Sequence, residues 1–401
     1  MKTNLLYEAD QIAEITRNFT GKGFMVCSGG SISVCDSDGT IYITPDKFDS
    51  INPEAKKIIV IDKNEKKYYD IKKASIELPI HRAIYEKRLD VNAICHVFSP
   101  AIAAISPTTN QSVFNLFPRL NKKLGVTHFS EYVTNYNNEQ VNAFVSRFIN
   151  GASNVIVDST GVFTTGRTIT EAFHKAELLD HFAKIYLNSI KLGDLMYPAE
   201  DNIQKFNDIQ VEMPQYLRGR KSSKDLDSIK IGLCRLALYA YQKGMATSLL
   251  GTMSVRMGKE GYLTIPGNTY KSILDPSKLV LMKHGKSEAW KTPNEDINLH
   301  EMIYDKNPST DCVALIFPTF CTAYSFTDVP LEIEGVKIVK LPFETIFNFK
   351  AIDKALKEGN DVLMIENDIF IVVANDMQIM NVILDKLTMT CQENIKSIGV
   401  D

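Results

Sequence analysis

The stretch KGFMVCSGGSISV (22–34) recurs as KGMATSLLGTMSV (243–255), and this recurrence decides how the chain is organised. Gly23 aligns with Gly244, an offset of 221 positions. Further along, IELPIHRAIYEKRLDVNAICHVFS is matched in the same order by EDINLHEMIYDKNPSTDCVALIFP. Ordered matches at a nearly constant spacing indicate tandem copies of one domain rather than chance similarity. The sequence therefore predicts two diverged copies of a single fold.

The limits of the two copies follow from the chain length and from a polar stretch between them. A chain of 401 residues is too long for one ordinary domain. We predict a first domain over 1–200, a linker over 201–228 and a second, more degenerate domain over 229–401. The linker contains Pro214 and the basic run RGRKSSK (218–224), which we interpret as solvated rather than as a binding patch.

Charge and cysteine usage narrow the class of protein. The net charge of −3 argues against nucleic acid or an anionic membrane as the main partner. No stretch is apolar over the roughly 18 residues needed to cross a bilayer, and the N-terminus lacks the apolar core of a secretory signal. Seven cysteines without a CxxC pair are typical of a reduced protein. We therefore predict a cytoplasmic protein with no nucleic-acid and no membrane partner.

Hydrophobic periodicity indicates a mixture of helices and strands in each copy. SISVC followed by GTIYIT predicts a hairpin around Asp38 and Gly39, and VNAICHVFS predicts a buried strand. TITEAFHKAELLDHFAKIYLNSI (168–190) predicts an amphipathic helix. His174 and His181 lie opposite its apolar stripe and are predicted to face solvent. The stripe consists of Ala172, Ala176, Leu179, Ala183 and Tyr186.

A series of short motifs in both copies resembles the class II aldolase/adducin family. The motifs are GSIS (30–33) and GTMS (251–254), TPDK (44–47) and TIPG (264–267), SIELPIH (75–81) and NEDINLH (294–300), HVF (96–98) and LIF (315–317), and STGVFTTGRTITEAFHKAE (159–177). The resemblance covers nearly all of both copies. It implies an α/β fold: two tandem α/β/α sandwich domains, each on a mostly antiparallel central sheet.

The resemblance also implies a chemistry. The family includes fuculose-phosphate and rhamnulose-phosphate aldolases, ribulose-phosphate 4-epimerase and the head domain of adducin. In its enzymes three histidines bind zinc or a similar ion, which polarises the sugar carbonyl, and a nearby carboxylate moves protons. Glycine, threonine and serine turns hold the substrate phosphate. The expected partner is a phosphorylated sugar or related anion, and the expected assembly is a homodimer with a pseudo-four-fold arrangement of domains.

Carried over residue by residue, the metal ligands are mostly lost. His96 takes the first ligand position, Phe98 replaces the second ligand and Thr160 replaces the third. Cys95 does not rescue the set, because adjacent strand residues point to opposite faces. In the second copy the three positions fall on Leu315, Phe317 and Asn367. Because catalytic zinc needs about three protein ligands, we expect no metal cofactor unless other residues rebuild the site.

The remaining family positions yield candidate catalytic and substrate-binding residues. Glu77 takes the position of the catalytic carboxylate and His96 is the second catalytic candidate, while Asp296 replaces the carboxylate in the second copy. The phosphate side departs from the family, because Lys47 stands for a motif glycine and Ile76 for a motif serine. The candidate substrate-binding residues are Gly30, Ser31, Ser33, Thr44, Lys47 and Ser75.

Several alternatives stay open at this point. Glu77 is either a general base or a carboxylate stabilised by a helix terminus, and His96 is either functional or a core histidine. His81 and His300 recur at equal positions, which favours a shared structural role such as a hydrogen bond to a neighbouring loop. The chain is either a divergent sugar-phosphate aldolase (a lyase) or epimerase active in the first copy, or a non-catalytic, adducin-like binding or assembly protein. A composite site between the copies is a third hypothesis.

Overall fold

The computed structural model describes residues 4–398, except 26–28, 64–70, 109, 132, 134–136, 211–213, 218–225, 259–260 and 268. Chain contacts divide it into two compact units. Unit 1 comprises Met1–Val113 and Lys123–Ala183, and unit 2 comprises Phe114–Lys122 and Lys184–Asp401. This division cuts the chain at other points than the predicted domain limits. The basic run 218–224 lies outside the described residues.

The first half of the chain forms a seven-stranded sheet with its helices. The sheet order is β3-β2-β1-β4-β7-β6-β5, and every neighbouring pair is antiparallel except β5 with β6. The strands are β1 (Ser31–Cys35), β2 (Ile41–Ile43), β3 (Ile59–Ile61), β4 (Ala93–Val97), β5 (Thr127–Ser130), β6 (Asn154–Val157) and β7 (Gly161–Gly166). The helices are α1 (Asn4–Gly21), α2 (Leu78–Lys87), α3 (Pro100–Ile105), α4 (Pro118–Leu124), α5 (Asn138–Ile149) and α6 (Ile169–Leu192).

Unit 2 repeats this sheet and extends it by two strands. Its order is β14-β15-β16-β13-β9-β10-β11-β12-β8, with two parallel pairs: β14 with β15, at the position equivalent to β5 with β6, and β12 with the added strand β8. The strands are β8 (Tyr216–Leu217), β9 (Thr252–Arg256), β10 (Tyr262–Thr264), β11 (Val280–Lys283), β12 (Lys286–Glu288), β13 (Cys312–Ile316), β14 (Ile338–Leu341), β15 (Val362–Ile365) and β16 (Phe370–Ala374). The helices are α7 (Glu200–Asp208), α8 (Leu226–Gln242), α9 (Ile297–Lys306), α10 (Cys321–Ser325), α11 (Lys350–Lys357) and α12 (Met377–Ser397).

These elements confirm the predicted tandem fold. Both sheets are mostly antiparallel, and the hairpin predicted around Asp38 and Gly39 joins β1 to β2. The range 201–228 contains most of α7, all of β8 and the start of α8. Its role as a linker stays a prediction. Among the described helices, none is long and apolar enough to span a bilayer. None of the six described cysteines forms a disulfide.

Strand register shows which residues of the two units are equivalent. Phe163 pairs with His96, and Ile371 pairs with Leu315, so Phe163 and Ile371 are equivalent. Counting back four residues in each hairpin makes Ser159 equivalent to Asn367. Both adopt positive φ angles, 56° and 53°.

This register corrects the expected third ligand position of the second copy. The residue after Ser159 is Thr160, and the residue after Asn367 is Asp368. The sequence alignment that placed Thr160 on Asn367 is therefore wrong by one residue. The apolar stretches NVIV and VLMI match equally well when one is shifted by one residue. Only the hydrogen-bonded strand pairs distinguish the two alignments. Asp368 thus takes the third ligand position.

The histidines of helix α6 differ from the prediction. His174 and His181 are only 7% and 5% exposed, so the expectation that they face solvent is wrong. The physical reason is that residues 172–183 of this helix are buried on every side, rather than along one apolar stripe. An amphipathic pattern identifies the most apolar face of a helix but does not exclude cover on the others.

Candidate active site of unit 1

A buried histidine links the first strand to the helix that follows the motif SIELPIH. Ser31 and Ser33 point to the same face of β1, because side chains alternate along a strand. His81 bridges them: its Nε2 lies 2.7 Å from Ser31 Oγ and its Nδ1 lies 2.6 Å from Ser33 Oγ. Ser33 Oγ also lies 2.6 Å from the hydroxyl of Tyr85. Burial lowers the pKa of His81 to about 4, so the ring is neutral at pH 7.

The same arrangement recurs in unit 2. His300 Nε2 lies 2.8 Å from Thr252 Oγ1, and its Nδ1 lies 2.8 Å from Ser254 Oγ, which in turn lies 2.7 Å from Tyr304 Oη. Burial lowers the pKa of His300 to about 4 as well. The predicted shared structural role of His81 and His300 is confirmed, although their partners are strand hydroxyls rather than a loop.

Glu77 lies at the start of helix α2, one turn before His81 and on the same face of the helix. One carboxylate oxygen accepts a short hydrogen bond from the Ser31 hydroxyl, and Oε1 lies 2.6 Å from His96 Nδ1. Burial alone would raise the pKa of Glu77, but the charge and hydrogen bond of His96, together with Ser31, outweigh it and leave the pKa lowered. The carboxylate is therefore ionised at neutral pH although only 7% exposed.

The direction of these hydrogen bonds follows from the neutral state of His81. Ser31 donates to Glu77, so its oxygen accepts from His81 Nε2, which must carry the ring proton. Nδ1 then accepts from Ser33, and Ser33 accepts from Tyr85. Burial raises the pKa of the Tyr85 hydroxyl, which keeps it a donor. A continuous chain of hydrogen bonds thus runs from Tyr85 to Glu77 and points toward the carboxylate.

His96 is held between two oxygen acceptors. Its ring stacks on Phe163, with centroids 4.0 Å apart and planes 6° apart, which fixes the ring orientation. Nδ1 faces Glu77, and Nε2 lies 3.2 Å from the backbone carbonyl oxygen of Thr160. The site thus offers an imidazole whose two ring nitrogens both face oxygen atoms, one of them in an ionised carboxylate.

The structure brings together some of the predicted substrate-binding residues. Ser31 and Ser33 are both in the hydrogen-bond chain, on either side of His81. The Thr44 hydroxyl accepts from the Ile32 amide at 3.1 Å, and the Ser75 hydroxyl accepts from the Glu77 amide at 3.3 Å. Lys47 is exposed on a turn, where its φ of 54° occupies the conformation for which the family motif uses glycine. Phosphate binding by these residues stays a prediction.

Gly30 is the point at which the glycine turn approaches the site most closely. Its φ is 89°, and a Cβ placed there would lie 2.4 Å from the backbone oxygen of His96. We expect Gly30→Ala to lower the free energy of unfolding by at least about 2 kcal/mol, because both the φ angle and the contact are unfavourable. Gly23→Ala is the matched control, since Gly23 has a φ of 75° but open space around it. Equal losses in urea denaturation of the two variants would contradict the predicted clash.

The residues present do not fit the metal centre of the family. Phe98 carries no ligating atom and packs against His96, with ring centroids 5.0 Å apart. Thr160 presents its carbonyl oxygen to His96 rather than a side-chain nitrogen. Burial raises the pKa of the Cys95 thiol, which disfavours a thiolate ligand. Within the part of the chain that the structure describes, no three His, Cys, Asp or Glu side chains are grouped to hold a metal ion.

The equivalent site of unit 2 contains a residue that sequence reasoning missed. Arg119 donates from Nε and Nη2 to the two carboxylate oxygens of Asp368, at 2.6 and 2.8 Å, and from Nη1 to Asp296 at 2.6 Å. Asp296 lies immediately before α9, as Glu77 lies immediately before α2. No local signal marks Arg119, because its partners are 177 and 249 positions away.

Comparison with known proteins identifies the family of the chain. The family described as Class II Aldolase and Adducin N-terminal domain matches residues 10–187 and 232–383. The chain therefore belongs to the class II aldolase and adducin family and carries its domain twice.

Individual relatives each match about one copy. An L-fuculose phosphate aldolase from Methanocaldococcus jannaschii is 29% identical over 44% of this chain and 94% of that protein. A 5-deoxy-D-ribulose 1-phosphate aldolase from Bacillus thuringiensis is 22% identical over 49% of this chain and 92% of that protein. The crystal structure of a sugar-phosphate aldolase from Thermotoga maritima is similar with a TM-score of 0.40 and 19% identity, over 47% of this chain and 97% of that one.

Proposed function

We propose that unit 1 is a divergent sugar-phosphate aldolase or epimerase in which Glu77 moves protons and His96 acts as the electrophile. The observation that carries this proposal is the 2.6 Å contact between Glu77 Oε1 and His96 Nδ1, at the family positions of the catalytic carboxylate and the first metal ligand. The names of the relatives support a phosphorylated sugar as the substrate class. The pseudo-four-fold homodimer stays a prediction within this proposal.

The protons and the electron pair of the proposed reaction can be accounted for without a metal. In aldol cleavage the hydroxyl of the departing carbon loses its proton, and the electron pair of the broken C–C bond forms an enediolate on the other fragment. A proton then returns to the enediolate carbon. A ring N–H of His96 directed at the carbonyl oxygen stabilises the developing negative charge, and a buried carboxylate carries the proton. In the proposed complex the substrate carbonyl replaces the Thr160 carbonyl as the acceptor of His96 Nε2. Epimerisation uses the same cleavage followed by re-addition to the opposite face.

A second candidate function is supported by the closure of this site. Ser31, Ser33 and Thr44 are fully buried, and Glu77 and His96 nearly so. Each of these side chains already has an internal hydrogen-bond partner. A site whose polar groups satisfy one another favours a non-catalytic, adducin-like binding or assembly protein over an open catalytic centre.

The test is cleavage of ketose 1-phosphates, with release of the aldehyde product followed by a coupled assay. We expect Glu77→Gln to lower kcat by about 10²- to 10⁴-fold, because the variant keeps the shape of the side chain but cannot carry the proton. Glu86→Gln is the matched control, since Glu86 is an exposed carboxylate on the same helix. Circular dichroism of both variants shows whether the fold is retained.

Three results separate the candidate functions. Turnover that falls only in Glu77→Gln supports the enzyme. Binding of a ketose phosphate by calorimetry, without turnover in the wild type, supports the non-catalytic alternative. Turnover that is unchanged in Glu77→Gln contradicts the proposed role of Glu77.

A further inference from the structure

The family site positions of unit 2 differ in chemistry from those of unit 1 and are independent of the function proposed for unit 1. The register of β13 and β16 places Asp368 at the third ligand position of unit 2, and Asp296 takes the position of the catalytic carboxylate. The other two ligand positions carry Leu315 and Phe317, whose side chains are fully or almost fully buried and apolar. Two carboxylates and no imidazole thus remain around the place where the family holds its metal.

A guanidinium group occupies the space between these carboxylates. Arg119 makes a two-pronged contact with Asp368 and a third hydrogen bond with Asp296, so one cation faces two anions. The Asp368 side chain is completely buried, and the side chains of Arg119 and Asp296 are 14% and 18% exposed. Burial alone would lower the pKa of Arg119, but the two carboxylates outweigh it and raise the pKa, so the group stays charged.

The segment that carries Arg119 is anchored on both sides. Two positions earlier, Phe117 packs on Phe317, with ring centroids 5.5 Å apart. Asn367 donates to the backbone oxygen of Leu116 at 3.0 Å. Three positions after Arg119, the ammonium of Lys122 donates to backbone oxygens at the C-terminal end of α7, including that of Ile209, the residue that follows the helix, at 2.8 Å.

The ring of Phe206 covers the outer face of the guanidinium, with Arg119 Cζ 5.4 Å from the ring centroid. A planar cation over an aromatic face is a favourable arrangement. Together with the anchors on either side, this contact holds Arg119 in one orientation. Any external cation that entered this position would therefore have to displace the side chain of Arg119.

We propose that Arg119 is a built-in cation that replaces the metal of the family site in unit 2, so that a side chain of the same unit fills this site and closes it to an external metal. Removal of the guanidinium leaves two carboxylates around a cavity of its shape. Such a site accepts either a small guanidinium ion or a hard divalent cation with oxygen ligands, such as Mn²⁺.

The experiment follows thermal unfolding of full-length Arg119→Ala with and without methylguanidinium or Mn²⁺. We expect the melting temperature to fall by about 10 °C, because two buried carboxylates lose their partner. Methylguanidinium or Mn²⁺ at millimolar concentration is expected to restore several degrees in a saturable manner. Tetramethylammonium chloride at equal ionic strength is the control for salt effects.

The matched variant Arg119→Ala/Asp296→Asn/Asp368→Asn keeps the cavity but removes both negative charges. We expect it to melt higher than Arg119→Ala and to be indifferent to either cation. If Arg119→Ala fails to fold, comparison of Arg119→Lys with Arg119→Gln tests the same point, and the charged variant should melt higher. Wild-type stability in Arg119→Ala, or equal cation effects in the single and triple variants, would overturn the proposal.

Discussion

Lowering the pH from 7 to 4.5 is expected to cost each unit about 2.5 kcal/mol of its free energy of unfolding through one buried histidine. His81 in unit 1 and His300 in unit 2 each have a pKa lowered by burial from 6.5 to about 4. Unfolding exposes the imidazole, which then binds a proton below pH 6.5, while the folded ring binds one only near pH 4. The unfolded state is therefore favoured progressively as the pH falls through this window, and the stability is restored above it.

The hydrogen-bond chain explains why protonation is costly here. The folded His81 ring accepts at Nδ1 from Ser33 and donates at Nε2 to Ser31. A second ring proton would turn Nδ1 into a donor and force Ser33 to reverse its hydrogen bond. Reversal would leave the hydroxyl of Tyr85 facing another donor in a buried site.

The measurement is the free energy of unfolding from urea titrations at pH 7, 6, 5.5 and 4.5, in the wild type and in His81→Gln. The quantity compared is the difference between the two proteins, because carboxylates that titrate in the same range contribute equally to both. Glutamine can donate and accept but does not titrate, so the variant should start less stable and lose about 2.5 kcal/mol less by pH 4.5. Parallel pH profiles would show that His81 is not the titrating group.

Restoring the lost ligands is expected to create a zinc-binding site in unit 1, which now lacks a complete set of zinc ligands. Phe98→His and Thr160→His together supply two imidazoles next to His96, which completes the three ligands that catalytic zinc requires. Glu77 already orients His96 through Nδ1 and leaves Nε2 directed toward Thr160. This is the arrangement in which an outer carboxylate fixes a metal-binding imidazole.

We expect about one zinc ion per chain in the double variant after dialysis, and none retained at this site in the wild type. With free zinc at about 100 times its Kd, the gain in stability is about 2.7 kcal/mol. The matched control is Phe317→His/Asp368→His in unit 2, where Leu315 supplies no third ligand and Arg119 supplies positive charge. Equal zinc contents in the two variants would mean that the assigned ligand positions are not what determines binding.

The sequence was sufficient to predict the repeat and the sheet of each unit. Alternation along SISVC places Ser31 and Ser33 on one face, and helical spacing places Glu77 and His81 on one face of α2. These are short-range relations that residue order determines directly. The family resemblance placed Glu77 and His96 in one site, and their direct contact was found only in the structure.

The remaining features depend on contacts that residue order does not encode locally. The burial of His174 and His181 depends on what packs against the polar side of α6, which periodicity does not report. The shift from Asn367 to Asp368 required the paired strands, since a one-residue slip preserves an apolar pattern. Arg119 was missed because it lies within the first repeat, whereas both its partners lie in the second.

The assignment of Phe114–Lys122 to unit 2 bears on the order in which the protein assembles during its synthesis. Phe117 and Arg119 leave the ribosome long before Phe317 and Asp368 exist, because the contact between Arg119 and Asp368 spans 249 residues. Until Phe317 and Asp368 are synthesised, Phe117 and Arg119 lack these contacts. Contacts over such long separations slow folding, and a nascent chain that stops short of Asp368 retains an unfinished second half. Synthesis of the chain as far as Asp368 is therefore a condition for closing its second site.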